Sequence, residues 1–133
     1  MESRRIKKPI IVCDDDPDIR DILSVTLRHA GYDVLCAAGY TDLMYFMENV
    51  RPCLVLLDIR MPEWDGFYIA ETFRKRGILV PIIFITAHDN RFSRVYAPAL
   101  GAVGYFTKPL DMDELVQKIY VTLHESAPPA PQS

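Results

Sequence analysis

Five short runs of this chain are wholly or mostly apolar, and between them apolar residues return every three or four places. A run apolar on both faces suits a strand of a parallel sheet covered by helices above and below, and the longer spacing suits the helices that cover it. The runs are Ile10-Ile11-Val12-Cys13, Val34 to Ala38, Cys53 to Leu57, Pro81 to Thr86, and Gly104-Tyr105-Phe106-Thr107. Pro81 has no amide to donate and fits only the first position of its strand. Helical spacing joins Ile19, Ile22, Leu23, Thr26, Leu27 and Ala30, with Pro17 suited to the first turn and Gly31 as a stop. Tyr40 to Val50 carries Leu43, Phe46, Met47 and Val50 on one face, and Phe67 to Arg76 is ended by Gly77. The spacing predicts a further helix over His88 to Leu100 that kinks or ends early at Pro98, and a last one from Asp111 to Glu125 facing inward through Met112, Leu115, Val116, Ile119 and Leu123.

Strands alternating with helices imply right-handed crossovers and an α/β fold, a doubly wound three-layer sandwich. The polar residues at the strand ends then acquire meaning. Asp14 and Asp15 follow the first strand, Asp58 the third, Thr86 the fourth and Lys108 the fifth. In the five-stranded parallel order 2-1-3-4-5, the first and third strands flank the crevice where such sheets keep their ligand sites. An aspartate ending one strand is commonplace. Five polar groups converging on one crevice are not.

Three carboxylates a few ångströms apart repel one another, by about 4 kcal/mol per pair at ~4 Å for an effective dielectric of ~20. A cation relieves that repulsion, and an oxygen-only donor set suits Mg2+ or Mn2+ rather than zinc. A metal beside a carboxylate, with a lysine opposite, is an arrangement for phosphoryl transfer onto an aspartate, and a hydroxyl such as Thr86 can hydrogen-bond the product. A purely structural acid cluster would leave Lys108 and Thr86 unexplained.

At 133 residues with half of them apolar, the chain is long enough for one domain with a core and too short for two. The divisions expected are a basic N-terminal extension over 1–9, a domain over 10–125 and a proline-rich tail or linker stub over 126–133. Met1 to Lys8 is basic but lacks the apolar stretch of a signal peptide. A net charge of -3 gives no surface for nucleic acid, and no apolar run approaches membrane-spanning length. Cys13, Cys36 and Cys53, odd in number and each in or beside an apolar run, read as buried thiols of a cytoplasmic protein. His29, His88 and His124 have no metal-ligand spacing.

Four blocks, in order and properly spaced, carry a resemblance that covers Ile10 to Glu125. They are Val12-Cys13-Asp14-Asp15-Asp16-Pro17, Leu56-Leu57-Asp58-Ile59-Arg60-Met61-Pro62 followed by Asp65-Gly66, Phe84-Ile85-Thr86-Ala87, and Gly104-Tyr105-Phe106-Thr107-Lys108-Pro109-Leu110. Together they resemble the receiver domains of bacterial two-component response regulators, whose fold is flavodoxin-like, in the manner of CheY. The resemblance implies Asp58 as phosphoacceptor, with Mg2+ held by Asp15, Asp58 and the backbone carbonyl of Arg60, and by Asp14 through a water. It implies Thr86 and Lys108 as phosphoryl-binding groups, Thr86 and Tyr105 as a switch pair, a cis bond between Lys108 and Pro109, and an influence of Arg60 and His88 on phosphate lifetime. It implies a regulator rather than an enzyme, with slow self-phosphorylation and self-dephosphorylation. The implied partners are a sensor histidine kinase or phosphotransfer protein and an output domain or downstream protein, and a homodimer on phosphorylation is allowed. The implied output face is the fourth helix, fifth strand and last helix, where Tyr96, Tyr105 and Tyr120 would form an aromatic patch. This chain departs from the family in Asp16, where Glu is common, in the bulk of Trp64, and in Pro98. Two rivals remain. A haloacid-dehalogenase-type phosphohydrolase would use Asp14 as nucleophile, but Asp18 stands where that motif has Thr or Val and the Asp58 block would have no role. A receiver-like module working without phosphorylation would be marked by loss of Asp58 or Lys108, and both are present.

Overall fold

The computed structural model describes residues 8–124, so most of the basic extension expected over 1–9 and all of the proline-rich tail expected over 126–133 lie outside the described residues. Five strands form one parallel sheet: β1 (Ile10–Cys13), β2 (Val34–Ala37), β3 (Leu54–Asp58), β4 (Ile82–Thr86) and β5 (Gly104–Thr107). Their order is β2-β1-β3-β4-β5, as expected. The helices are α1 (Pro17–His29), α2 (Tyr40–Asn49), α3 (Gly66–Lys75), α4 (Arg91–Ala99) and α5 (Met112–His124).

The pleat sorts each strand's side chains between two cores. Ile11, Cys13, Val55, Leu57 and Phe84 point to the side covered by Leu43 and Met44 of α2, Ile69 and Phe73 of α3 and Ala97 of α4. Ile10, Val12, Leu54, Leu56, Ile83 and Ile85 point to the side covered by Leu23 and Leu27 of α1 and by Leu115 and Ile119 of α5. Both faces of β1, β3 and β4 are therefore apolar because both are buried. Register places the carboxyl ends level, with Cys13 opposite Leu57 and Asp58 opposite Ile85, so the residues that follow emerge along one edge.

Side-chain caps explain where several helices begin. Asp16 accepts the Asp18 amide at the start of α1, Asp65 the Tyr68 amide at α3, and Asn90 the Ser93 amide at α4. Asn90 also corrects the expected span of the fourth helix, which starts at Arg91 rather than His88 because the cap closes there. Pro98 stands one residue before the helix ends, so its missing amide falls in the last turn, and Gly101 continues with φ of 87°. The cysteines are also partly corrected. All three are free, but only Cys13 is buried; Cys36, on edge strand β2, and Cys53, just before β3, are half-buried. Among the described residues no helix is long and apolar enough to cross a membrane.

One glycine joins fold to site. Gly66 begins α3 directly beneath the end of β3, and its amide donates to the Ile59 carbonyl at 2.8 Å. A Cβ there would lie inside van der Waals contact of the Asp58 carbonyl oxygen and 3.0 Å from Ile59 Cα. Gly66→Ala is therefore expected to lose about 1–3 kcal/mol, the usual cost of overpacking against an immobile neighbour, read as a lower urea midpoint. An unchanged midpoint would mean the α3 start can withdraw from β3 freely.

Candidate functional site at the carboxyl edge of the sheet

The strand ends bring four charged groups together. Asp14, Asp15 and Asp58 each present a carboxylate oxygen within 4.8 Å of the others'. Asp14 is fully buried and Asp58 is 3 % exposed, whereas Asp15 is open to solvent. Lys108 reaches in from the end of β5, its Nζ 2.8 Å from Asp14 Oδ2 and 3.5 Å from Asp58 Oδ2. The bond from Lys108 to Pro109 is cis, as the resemblance implied.

Neighbouring amides hold the acids in place. The Asp16 amide donates to Asp14 Oδ1 at 2.9 Å, and the Arg60 amide to Asp58 Oδ1 at 3.2 Å. Arg20, which sequence reasoning passed over, donates from its guanidinium to the Asp14 carbonyl at 2.8 Å, tying α1 to the loop it leaves. Only its place at the end of the first turn after an acid run could have pointed to it. Asp14 Oδ2 is buried and is paired in charge with the Lys108 ammonium, with no further polar partner among the described residues. An oxygen donor set with one such atom, one open carboxylate and one nearly buried carboxylate fits a hard divalent cation.

Burial and the adjacent Asp14 push the Asp58 carboxyl up to about 7, although Lys108 and the Arg60 amide oppose the shift. Burial pulls the Lys108 ammonium down, but Asp14 and Asp58 outweigh it and the net shift is upward. Burial, and then Asp14, raise the Cys13 thiol to about 12, leaving it inert beside the acids.

The other predicted residues take distinct places. Thr86 is buried, and its Oγ1 accepts the His88 amide at 3.0 Å. His88 and Arg60 are exposed. Tyr105 does not turn toward Thr86; its hydroxyl donates to Asp89 Oδ1 at 2.9 Å, and Asp89 also pairs with Arg94 at 3.3 Å. Tyr105, Asp89 and Arg94 line a cavity of about 780 Å³ between α4, β5 and α5. Tyr96 is a correction. It faces α3, packed edge-on against Phe67 with its hydroxyl bonded to Glu71, and so leaves the patch expected with Tyr105 and Tyr120. Tyr120 is half exposed and stacked on His124. Trp64 is half-buried and stacked on Tyr40.

The family of the response regulator receiver domain matches residues 10–120. The chain belongs to that family. A curated relative, the alkaline phosphatase synthesis transcriptional regulatory protein PhoP of Bacillus subtilis, is 33% identical over 128 residues, covering 96% of this chain and 53% of that protein. The chain thus spans about half the length of this relative. A CheY-like response-regulator receiver from Methanospirillum hungatei superposes with a TM-score of 0.82 at 30% identity, covering 90% of this chain and 95% of that one. A Francisella response-regulator receiver domain gives 0.84 at 23% identity, covering 90% and 99%, a likeness of fold. The chain is accordingly a receiver domain of the two-component response-regulator type, a signalling module with an acidic pocket.

The buried acids make stability depend on pH. Asp58 titrates near 7 when folded and near its ordinary 3.8 when unfolded, so between those values the folded state holds the extra proton. Stability therefore falls as pH rises from about 4 through about 7. In EDTA, Asp58→Asn is expected to be more stable than wild type at pH 8, on the order of 1–3 kcal/mol, with the gap closing toward pH 4. Urea unfolding at both pH values checks this, and a wild type as stable as the variant at pH 8 would contradict it.

Proposed function

We propose that Asp58 accepts a phosphoryl group from a histidine-kinase or phosphotransfer partner in the presence of Mg2+, and that the modified domain changes its α4–β5–α5 face. The observation that carries the reading is the shared position of Lys108, facing Asp14 and Asp58 at the end of the central strand. Asp15, Asp58 and the Arg60 carbonyl would hold the cation, with Asp14 acting through a water. When bound, the cation offsets the negative charge of the acids and of the incoming phosphoryl oxygens. Asp58 then attacks phosphorus through a carboxylate oxygen, forming a P–O bond as the bond to the donor nitrogen or oxygen breaks and the donor leaves with the electron pair. Lys108 moves its charge from Asp14 toward the new phosphoryl oxygens, as its longer contact to Asp58 allows. Thr86, buried at the end of the neighbouring strand, offers its hydroxyl to the same group.

The switch follows from that last contact. A phosphoryl group adds charge and acceptor oxygens, and drawing the Thr86 hydroxyl inward vacates space that Tyr105 can enter. Tyr105 would leave Asp89, altering the cavity between α4 and α5 and biasing an existing equilibrium between two states of that face. An output domain or downstream protein would read the change there. Whole-protein activity like that of the longer PhoP relative would lie in such an output region.

Labelling with acetyl phosphate tests the acceptor. Asp58→Asn is expected to abolish it, Asp15→Asn to reduce it, and EDTA to stop it in wild type. Mass spectrometry that found the phosphoryl group on Asp14 would favour the phosphohydrolase reading and falsify this one. Lys108→Ala is expected to lose switching, because no cation is left to meet the phosphoryl oxygens, and to lower the urea midpoint at pH 8, because Asp14 and Asp58 are left buried without their shared ammonium.

Phosphate loss requires a water in line with phosphorus, and Arg60 and His88, both exposed and each two positions past a site residue, would cover the pocket mouth. Replacing both with alanine is expected to change the decay rate by roughly ten-fold, about 1.4 kcal/mol in barrier. Decay at the wild-type rate would free both residues of that role.

A further inference from the structure

The loop that leaves the acceptor strand is held at its tip by aromatic rings from a different part of the chain. Trp64 stacks on Tyr40 with centroids 4.0 Å apart and planes 12° from parallel, and meets Tyr68 edge-on at 4.6 Å. Tyr40 opens α2, directly after β2, so the stack crosses from the second strand's loop to the third's. Beneath it a second tie joins the same two loops. The buried Cys13 thiol lies 3.8 Å from the Gly39 carbonyl and 3.9 Å from Met61 Sδ. At its base the loop is fixed by the Gly66 amide on the Ile59 carbonyl.

Between base and tip the backbone is strained. Glu63 has φ of 71°, and the Trp64 amide donates back to the Pro62 carbonyl at 2.8 Å, closing a γ-turn of the positive-φ kind. A non-glycine residue keeps that conformation only where its surroundings over-determine it. The surroundings here are the rings. Arg60, whose amide already touches Asp58, stands in the same loop.

We propose that Tyr40 is a positioning residue for the phosphoryl site. By stacking on Trp64 it holds the β3–α3 loop in the conformation that presents the Arg60 carbonyl beside Asp58. This rests on the reading of the acid pocket as a divalent-metal and phosphoryl site. Tyr40 touches neither acid; its effect passes through Trp64 and the loop backbone. The ring, not the hydroxyl, is the working part, since the contact is face to face. A phenylalanine would serve equally well.

Mn2+ binding to the unphosphorylated protein, followed by electron paramagnetic resonance of the free ion, provides a readout independent of phosphorylation. Tyr40→Ala is expected to weaken Mn2+ binding by roughly two- to ten-fold, the range that corresponds to loss of one aromatic pair, and to change phosphate decay at Asp58. Tyr40→Phe should restore both to wild type. Near-ultraviolet circular dichroism of Trp64 reports whether the stack has been broken, and Tyr40→Leu, which keeps apolar bulk without the ring, replaces the alanine variant if the latter does not fold. Wild-type Mn2+ affinity in a folded variant whose Trp64 signal shows the stack gone would overturn the proposal. So would a Tyr40→Phe variant as impaired as Tyr40→Ala. If wild type itself neither binds Mn2+ nor labels at Asp58, the underlying reading fails and the proposal falls with it, an outcome distinct from either of the first two.

Discussion

Two nearly dry carboxylates share one ammonium. Asp14 and Asp58 end adjacent strands with almost no exposure, and Lys108 lies between them at 2.8 and 3.5 Å. Like charges so close in a poorly solvated place destabilise the fold unless a cation or a proton relieves them. Lys108 supplies one positive charge against two negative ones, and the open Asp15 adds a third. The imbalance leaves the edge of the sheet short of positive charge. That shortage fits the pocket to a divalent ion, and with one bound the remaining field would suit a phosphoryl group, as proposed above.

The rest of the fold keeps this imbalance in place. Parallel pairing levels the strand ends, so Asp14, Asp58, Thr86 and Lys108 leave the sheet side by side. Apolar cores on both faces exclude water from the acids. Short tethers then fix each group: Arg20 on the Asp14 carbonyl, the Arg60 amide on Asp58, and the His88 amide on Thr86. The face expected to respond to phosphorylation is tied more loosely, through an exposed Tyr105–Asp89 hydrogen bond and an exposed Asp89–Arg94 ion pair.

Much of this was legible in the sequence, for a local reason. Apolar runs end where a strand leaves the two cores, so β1 and β5 begin and end where the pattern places them, and the charged residues Asp14 and Lys108 that follow them fall at the edge of the sheet. Helix starts depend on a single cap, and Asn90 moved the start of α4 by three residues from where periodicity put it. Contacts between distant segments were not legible. Tyr96 carries no mark that it faces Phe67 and Glu71 rather than β5, and nothing near Tyr40 announces that Trp64, 24 positions away, will lie flat upon it. Such pairings exist only after the sheet has brought its loops together.

The shortness of α4 has a consequence of its own. Nine residues make about two and a half turns, and a helix that short does not persist in water by its own hydrogen bonds. Pro98 removes one more donor near its end. Its shape is therefore lent to it by its side-chain anchors: Asn90 at the start, Ser93 and Ala97 buried beneath, and Tyr96 against α3. An element with so little cohesion of its own can shift, tilt or shed a turn when an anchor moves, while the sheet beneath it stays intact. In amide hydrogen exchange, α4 would be the weakly protected margin of a well-protected body, and a change at one anchor would register in its order as much as in its position.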